Sequence, residues 1–160
     1  MDQEYVDPFI PGTDWHIYEI HWTPDYVSWA VDNKIVRKVE NTPAVRFLTK
    51  EQHLVMDYWI AANGAWADGF NSAGMPWYAK YDWVETYKYT GGNEFELHWR
   101  DDFNQFDETR WAKSDGWGSP GGATAYKAEQ VYVKDGELYL KLEPNSWKTE
   151  TETEPEEFLS

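Results

Sequence analysis

The sequence predicts an all-β fold, and two observations support that prediction. Side chains alternate between apolar and polar with a period of two along several segments, which is typical of strands with one buried face. The pairs Asp32-Asn33 and Asp135-Gly136 separate such segments, and these residue types tolerate the positive φ that tight hairpins require. Helical periodicity is nearly absent. We therefore expect antiparallel strands joined in part by short turns.

The expected strands follow one another along most of the chain. The first two are joined through Thr23-Pro24-Asp25, and the third completes a meander after Asp32-Asn33. The predicted strands lie at residues 16–22, 26–31, 35–39, 54–60, 79–89, 94–99, 130–134 and 137–142. Residues 61–77 are rich in Gly, Asn and Ala, which predicts a long surface loop.

Composition limits the classes of domain and partner. The 160 residues suffice for one domain with a core, and we expect it over residues 1–142, with a flexible connector at residues 91–93. Residues 143–160 are dominated by Glu, Thr, Lys and Pro, which predicts an acidic, flexible tail. The net charge of −15 opposes binding to nucleic acid or to an anionic membrane. There is no cysteine, so no disulfide forms.

Three segments carry a resemblance to a known family. Residues 14–24 read D-W-H-I-Y-E-I-H-W-T-P, residues 79–84 read A-K-Y-D-W-V, and residues 111–117 read W-A-K-S-D-G-W. Together they resemble family 16 glycoside hydrolases, in particular the bacterial lichenases that cleave mixed-linkage 1,3-1,4-β-glucan. The resemblance spans residues 14–142 and implies a concanavalin-like jelly-roll β-sandwich, which would be incomplete in this chain.

The order of the segments resembles that of circularly permuted lichenases. Residues 94–142 are similar to the N-terminal part of the family, yet they follow residues 1–90, which are similar to its C-terminal part. Residues 91–93 would form the joint between the two parts. A chain that spans the seam between two tandem family members is the alternative to permutation.

The resemblance also implies the source of the catalytic acids. The family takes both carboxyls, about 5 Å apart, from one strand reading E-x-D-x-(x)-E, whose alternate residues share a face. In the permuted relatives that strand precedes the position of Asp14, so we expect no catalytic residue in this chain and no activity from it alone. Asp2-Gln3-Glu4 lacks the first Glu of that pattern. Residues 150–154 have alternating carboxylates but no apolar residue on the other face.

Several residues are expected to form binding sites by the same resemblance. Candidates for sugar contact are Asp57, Trp59, Trp66 and Trp117. Core packing is the alternative for each indole. Asp82 is similar to a carboxylate that binds structural calcium, with backbone oxygens near Asp102 and Gly136 completing the site, and a hydrogen bond from Asp82 to neighbouring backbone is the alternative. The four histidines show no zinc-site spacing and are expected to be structural.

The resemblance therefore predicts a portion of a secreted, retaining β-glucan endo-hydrolase. Its catalytic carboxylates would come from a segment or a complementary chain outside these residues. A noncatalytic β-glucan-binding or assembly protein on the same scaffold is the alternative.

Overall fold

The computed structural model describes residues 12–60, 73–118 and 125–144. The regular structure there is nearly all β, in antiparallel sheets, which confirms the predicted all-β class and agrees with an incomplete β-sandwich. The strands are β1 (Tyr18–Trp22), β2 (Tyr26–Val31), β3 (Lys34–Glu40), β4 (Trp77–Tyr81), β5 (Val84–Gly91), β6 (Glu94–Asp101), β7 (Trp117–Gly118), β8 (Ala125–Tyr126), β9 (Val131–Lys134) and β10 (Glu137–Leu142).

The chain divides into two compact units. Residues 1–54 and 87–98 form the first unit, and residues 55–86 and 99–160 form the second. The predicted single domain over residues 1–142 stays a prediction, and the predicted tail lies mostly outside the described residues. No helix in the described part of the chain is long and apolar enough to cross a membrane.

The first unit contains a three-stranded antiparallel meander in the order β1-β2-β3. Thr23 closes the β1–β2 turn, because its backbone N–H and its hydroxyl both donate to the carbonyl of Tyr26, at 2.9 and 3.1 Å. Asp32 and Asn33 connect β2 to β3 with φ values of 49° and 65°. Positive φ at both central residues is the type I′ geometry that matches strand twist, as the sequence predicted.

A short helix, α1 (Pro43–Arg46), follows the meander. The Thr42 hydroxyl accepts a hydrogen bond from the backbone N–H of Val45 at 3.3 Å, and Pro43 occupies the first turn, where its missing N–H costs nothing. Val45 is buried. The helix therefore anchors the end of the meander through one apolar side chain.

The second unit contains a sheet in the order β4-β10-β9. One face of its central strand β10 carries Leu138, Leu140 and Leu142, all buried, while Glu137, Tyr139 and Lys141 alternate with them on the other face. This is the usual pattern of a sheet with one covered face. Asp135 and Gly136 form the predicted β9–β10 turn, again with positive φ at both residues.

The connection after β6 is built around a buried phenylalanine. Phe103 is 1% exposed and has a φ of 47°. The Asp101 carboxylate accepts from the backbone N–H of Phe103 at 2.9 Å and from the indole N–H of Trp111 at 2.7 Å. These two hydrogen bonds stabilise the turn, since one carboxylate oxygen bonds the backbone of Phe103 and the other bonds the side chain of Trp111.

Three local predictions were wrong. Residues 54–60 form no strand. Leu54 and Val55 are 50% and 74% exposed, so their apolar side chains have no buried face to support a strand. The predicted strand at residues 79–89 is two strands separated at Asp82 and Trp83. The flexible connector at residues 91–93 is instead a tight turn, since Gly92 and Asn93 join β5 to β6 with φ values of 59° and 70°.

Candidate functional site

Asp57 lies on the irregular segment of the second unit and is exposed. Its charge acts on Tyr81, the last residue of β4. Burial raises the pKa of the Tyr81 hydroxyl, and the negative charge of Asp57 raises it further. Asp57 therefore lies close to the end of β4, with a carboxylate that is open to solvent and can accept from hydroxyl groups.

Trp59 follows Asp57 by two residues and is 38% exposed. The sequence predicted that it would project from a strand, but it lies on the irregular segment, while Tyr58 before it and Ile60 after it are less exposed. An indole with this exposure presents apolar surface outward, which is the property that stacking on a sugar ring requires. Trp66 lies outside the described residues.

Trp117 lies on a short hairpin of the second unit formed by β7 and β8. It is paired directly with Tyr126, and the two rings meet edge to face at a centroid distance of 4.9 Å. The backbone N–H of Gly116 donates to the carbonyl of Tyr126 at 3.0 Å, which extends the pairing by one bond. Trp117 is nevertheless 54% exposed, so Tyr126 fixes the orientation of the indole without covering it.

The structure thus keeps Asp57, Trp59 and Trp117 exposed in one unit but on two separate elements. Trp59 and Trp117 are 38% and 54% exposed, so neither indole is fully buried.

The sequence analysis did not identify Glu85 and Asp102 as a pair that shares one cation. The Arg100 guanidinium donates through Nη1 to Glu85 and through Nε to Asp102, both at 2.6 Å. These hydrogen bonds to Glu85 and then Asp102 raise the pKa of Arg100. Both carboxylates are therefore engaged by one guanidinium.

Arg100 and Asp102 also line a shallow polar cavity of about 250 Å³, together with Asp101, Asn104, Gln105, Asp107 and Arg110. Its acidic groups already have partners. Asp101 accepts from two N–H groups, and hydrogen bonds from Thr109 hold the pKa of Asp107 below its usual range. The hydrogen bonds of these acids therefore stabilise the turn that surrounds the cavity.

The predicted calcium residues lie at the ends of strands in the second unit. Tyr81 pairs with Leu138, so the next residue, Asp82, approaches the β9–β10 turn at Gly136. The Asp102 carboxylate is engaged by Arg100, which leaves only backbone oxygen there for a cation. No group of three or more acidic or histidine side chains among the described residues is arranged to hold a metal. A calcium ion would therefore depend on Asp82 and backbone carbonyls.

His21 on β1 and His16, just before β1, each lie within hydrogen-bond distance of an acidic side chain. His16 Nδ1 lies 2.8 Å from Asp32 Oδ2, and the same carboxylate accepts from the backbone N–H of Ile17. These two hydrogen bonds, led by that of His16, lower the pKa of Asp32. His21 Nε2 lies 3.1 Å from Glu19 Oε2. The two acidic runs weighed as catalytic candidates, at residues 2–4 and 150–154, lie outside the described residues.

Comparison with known proteins gives a consistent family. The sequence profile described as Glycosyl hydrolases family 16 matches residues 2–85. A protein named beta-glucanase from Fibrobacter succinogenes is 38% identical over 139 residues, which are 82% of this chain and 39% of that protein. A beta-glucanase from Rhodothermus marinus is 31% identical over 87 residues, 48% of this chain and 30% of that protein. The chain thus spans two fifths or less of the length of either relative.

Proposed function

The chain belongs to glycosyl hydrolase family 16, and on that premise we propose that it is a portion of a retaining β-glucan endo-hydrolase. The observation that carries the proposal is its identity of 38% over 139 residues to a protein named beta-glucanase. The proposed substrate is mixed-linkage 1,3-1,4-β-glucan or a related β-glucan.

The reaction requires two carboxyl groups, and we propose that they lie outside these residues. In retaining hydrolysis one carboxylate attacks the anomeric carbon while a carboxylic acid about 5 Å away protonates the departing oxygen. Glu85 and Asp102 accept hydrogen bonds from Arg100, and Asp101 accepts from two N–H groups, so these acids already have structural partners. The acids would come from another segment of the protein or from a complementary chain.

This chain would contribute sugar-binding surface. The exposed indoles of Trp59 and Trp117 offer apolar faces to sugar rings, and Trp66 is proposed to do the same. Asp57 would accept hydrogen bonds from sugar hydroxyls. Tyr126 supports this role for Trp117, because a ring held in one orientation loses less entropy on binding.

Three finer features complete the proposal. The protein is secreted, and its two family segments are joined in permuted order at the Gly92-Asn93 turn. A two-residue turn supports such a joint because it connects β5 to β6 without disturbing their pairing. A structural calcium ion is bound by Asp82 with backbone oxygens near Asp102 and Gly136.

The test uses barley mixed-linkage β-glucan and a reducing-sugar assay. The chain alone is expected to migrate slowly in a gel containing the glucan, without releasing sugar. Co-expression with the part of the Fibrobacter succinogenes protein outside the match is expected to give hydrolysis. Release of sugar by the chain alone would contradict the division of the site. Retardation without hydrolysis in any combination would identify a noncatalytic binding protein instead.

A matched pair of variants tests the binding surface. Trp117→Ala is expected to reduce gel retardation several-fold, as loss of one stacking ring worth about 0.5–1.5 kcal/mol implies. Trp15→Ala is the control, because Trp15 is 52% exposed against 54% for Trp117 but lies in the first unit. Equal retardation of the two variants would remove Trp117 from the proposed surface.

A further inference from the structure

One face of the second sheet carries three tyrosines and several charged residues. Cross-strand pairing places Lys80 and Tyr132 on either side of Tyr139, and it places Tyr78 beside Lys141. Because directly paired residues share a face, these side chains lie opposite the buried leucines of β10. We call this surface the tyrosine face, and its residues are Tyr78, Lys80, Tyr132, Glu137, Tyr139 and Lys141.

The rings of the tyrosine face hold one another in fixed orientations. Tyr132 stacks on Tyr139 with ring centroids 5.2 Å apart, and Lys80 approaches Tyr139 from the other flanking strand. Tyr78 meets the Tyr139 ring edge to face, at a centroid distance of 5.9 Å and with the planes 82° apart. Tyr78 is nevertheless 43% exposed. It therefore offers ring surface to solvent in an orientation that its neighbour already fixes, which lowers the entropy lost on binding.

The charged groups of the tyrosine face form pairs of opposite sign. Lys80 Nζ donates to Glu137 Oε2 at 3.0 Å, and the Tyr139 hydroxyl donates to the same oxygen at 2.7 Å. Lys141 forms an ion pair with Glu143, the residue after β10. Because each ammonium faces a carboxylate, the surface around Tyr78 has little net charge with which to attract an ion.

These groups match a neutral ligand that is rich in hydroxyl groups. An ammonium has several N–H donors and a carboxylate has several acceptor positions, so each can form hydrogen bonds in addition to its ion pair. The Lys80 side chain is 41% exposed and can therefore donate to a ligand. Sugar hydroxyls both donate and accept, and they can bond both members of a pair, whereas an ionic ligand is repelled by one member of each pair.

We propose that the tyrosine face binds a β-glucan chain, with Tyr78 stacked on a sugar ring and the neighbouring Lys–Glu pairs bonded to its hydroxyls. The inference rests on the proposed function for the identity of the polysaccharide. It uses none of the residues assigned above, since Asp57, Trp59 and Trp117 lie outside β4, β9 and β10. Two surfaces on one protein increase its retention on a long polymer without a stronger single contact. A second copy of the chain fits less well, because two molecules of charge −15 repel each other.

Affinity electrophoresis in barley β-glucan tests the inference without any need for hydrolysis. Tyr78→Ala should reduce retardation about two- to tenfold, as the loss of one stacking ring implies, whereas Tyr78→Phe keeps the ring and should retain most of it. Tyr18→Ala is the matched control, because Tyr18 is 62% exposed on a strand of the first unit. A second measurement uses the wild-type chain, in which β-glucan should slow chemical acetylation of Lys80 but not of Lys50 in the first unit.

Undiminished retardation of Tyr78→Ala, or acetylation of Lys80 at the same rate with and without glucan, would overturn the inference. If Trp117→Ala alone loses retardation, the inference fails and the sugar-binding surface of the proposed function stands. Loss in Tyr78→Ala alone supports the inference and contradicts that surface. A wild-type chain that is not retarded would also overturn the inference, and the hydrolysis assay would then decide the proposed function by itself. Sedimentation velocity that shows a dimer dissociated by Tyr78→Ala would assign the face to a second copy instead.

Discussion

The two three-stranded sheets of this molecule have the same alternation but opposite coverage. In the second unit, β10 buries Leu138, Leu140 and Leu142 and turns its polar residues outward. In the first unit, β1 turns Tyr18 and Ile20 outward. Sequence periodicity is therefore the same signal in both sheets, and it does not tell which face of a strand is buried.

The polar face of the second sheet is also more fully organised. Tyr132 and Tyr139 are cross-strand partners whose rings stack at 5.2 Å with planes 7° apart. Lys80 lies 4.7 Å from the Tyr139 ring centroid and donates to Glu137 at 3.0 Å. Such cross-strand contacts fix the register of three strands. The described side chains of the first sheet include no comparable stack of rings across its strands.

The largest expected effect compares a buried leucine of β10 with an exposed isoleucine of β1. Leu138→Ala should lower the free energy of unfolding by about 2–5 kcal/mol, because it removes a buried side chain and leaves a cavity. Ile20→Ala should change it by about 0.5 kcal/mol or less, since Ile20 is 68% exposed. Urea titration followed by tryptophan fluorescence measures both. Equal losses would mean that β1 is covered in solution.

The next effect concerns the turn after β6. Asp101→Ala should destabilise the chain by about 1–3 kcal/mol, because the N–H groups of Phe103 and Trp111 lose their acceptor. Asp14→Ala in the first unit is the control, since the Asp14 carboxylate accepts from the exposed backbone N–H of Trp15. Thermal unfolding of the two variants measures the contrast. A control as unstable as Asp101→Ala would contradict this ranking.

A smaller effect is expected from calcium on the second unit. One millimolar Ca²⁺ should stabilise the chain by roughly 0.4–1.4 kcal/mol relative to EDTA, if the site has the affinity of extracellular calcium modules. Asp82→Ala should abolish the difference, whereas Asp25→Ala, at a turn of the first unit, should keep it. Differential scanning calorimetry tests this. Unchanged melting of the wild-type chain in Ca²⁺ would eliminate the proposed site.

The smallest effect is a pH dependence on the polar face of the second sheet. Hydrogen bonds from Tyr139 and then Lys80 lower the pKa of Glu137. A lowered pKa contributes stability that is present above the unfolded value of about 4.5 and is lost as pH falls through the folded value. Melting temperatures measured from pH 6 down to pH 3 should therefore fall less steeply for Glu137→Gln. Parallel curves would show that the contact is too weak to matter.

Local chemistry accounts for the features that the sequence predicted well. The Asp32-Asn33 and Asp135-Gly136 turns were predictable because few residue types accept positive φ at two successive positions. Strands β2, β3, β6 and β10 were predictable because the alternating runs beside such turns have nearby partners. Residues 54–60 show the limit of this reasoning, since an alternating run becomes a strand only when another strand pairs with it.

The candidate site was less predictable than the strands. Motif position identified Asp57, Trp59 and Trp117, but their exposure depends on what packs over them. The Arg100 bridge joins Glu85 on β5 to Asp102 after β6, so it depends on the register of a hairpin. The exposure of Tyr18 and Ile20 was also unpredictable, because a period of two identifies two faces of a strand without saying which is buried.

Hydrogen exchange of β1 tests the central claim most directly. The peptide covering Tyr18–Trp22 should exchange much faster than the peptide covering Glu137–Leu142, because among the described strands β1 lies at the edge of its sheet and carries exposed side chains, whereas β10 is a central strand. Equally slow exchange of the two peptides would contradict the account.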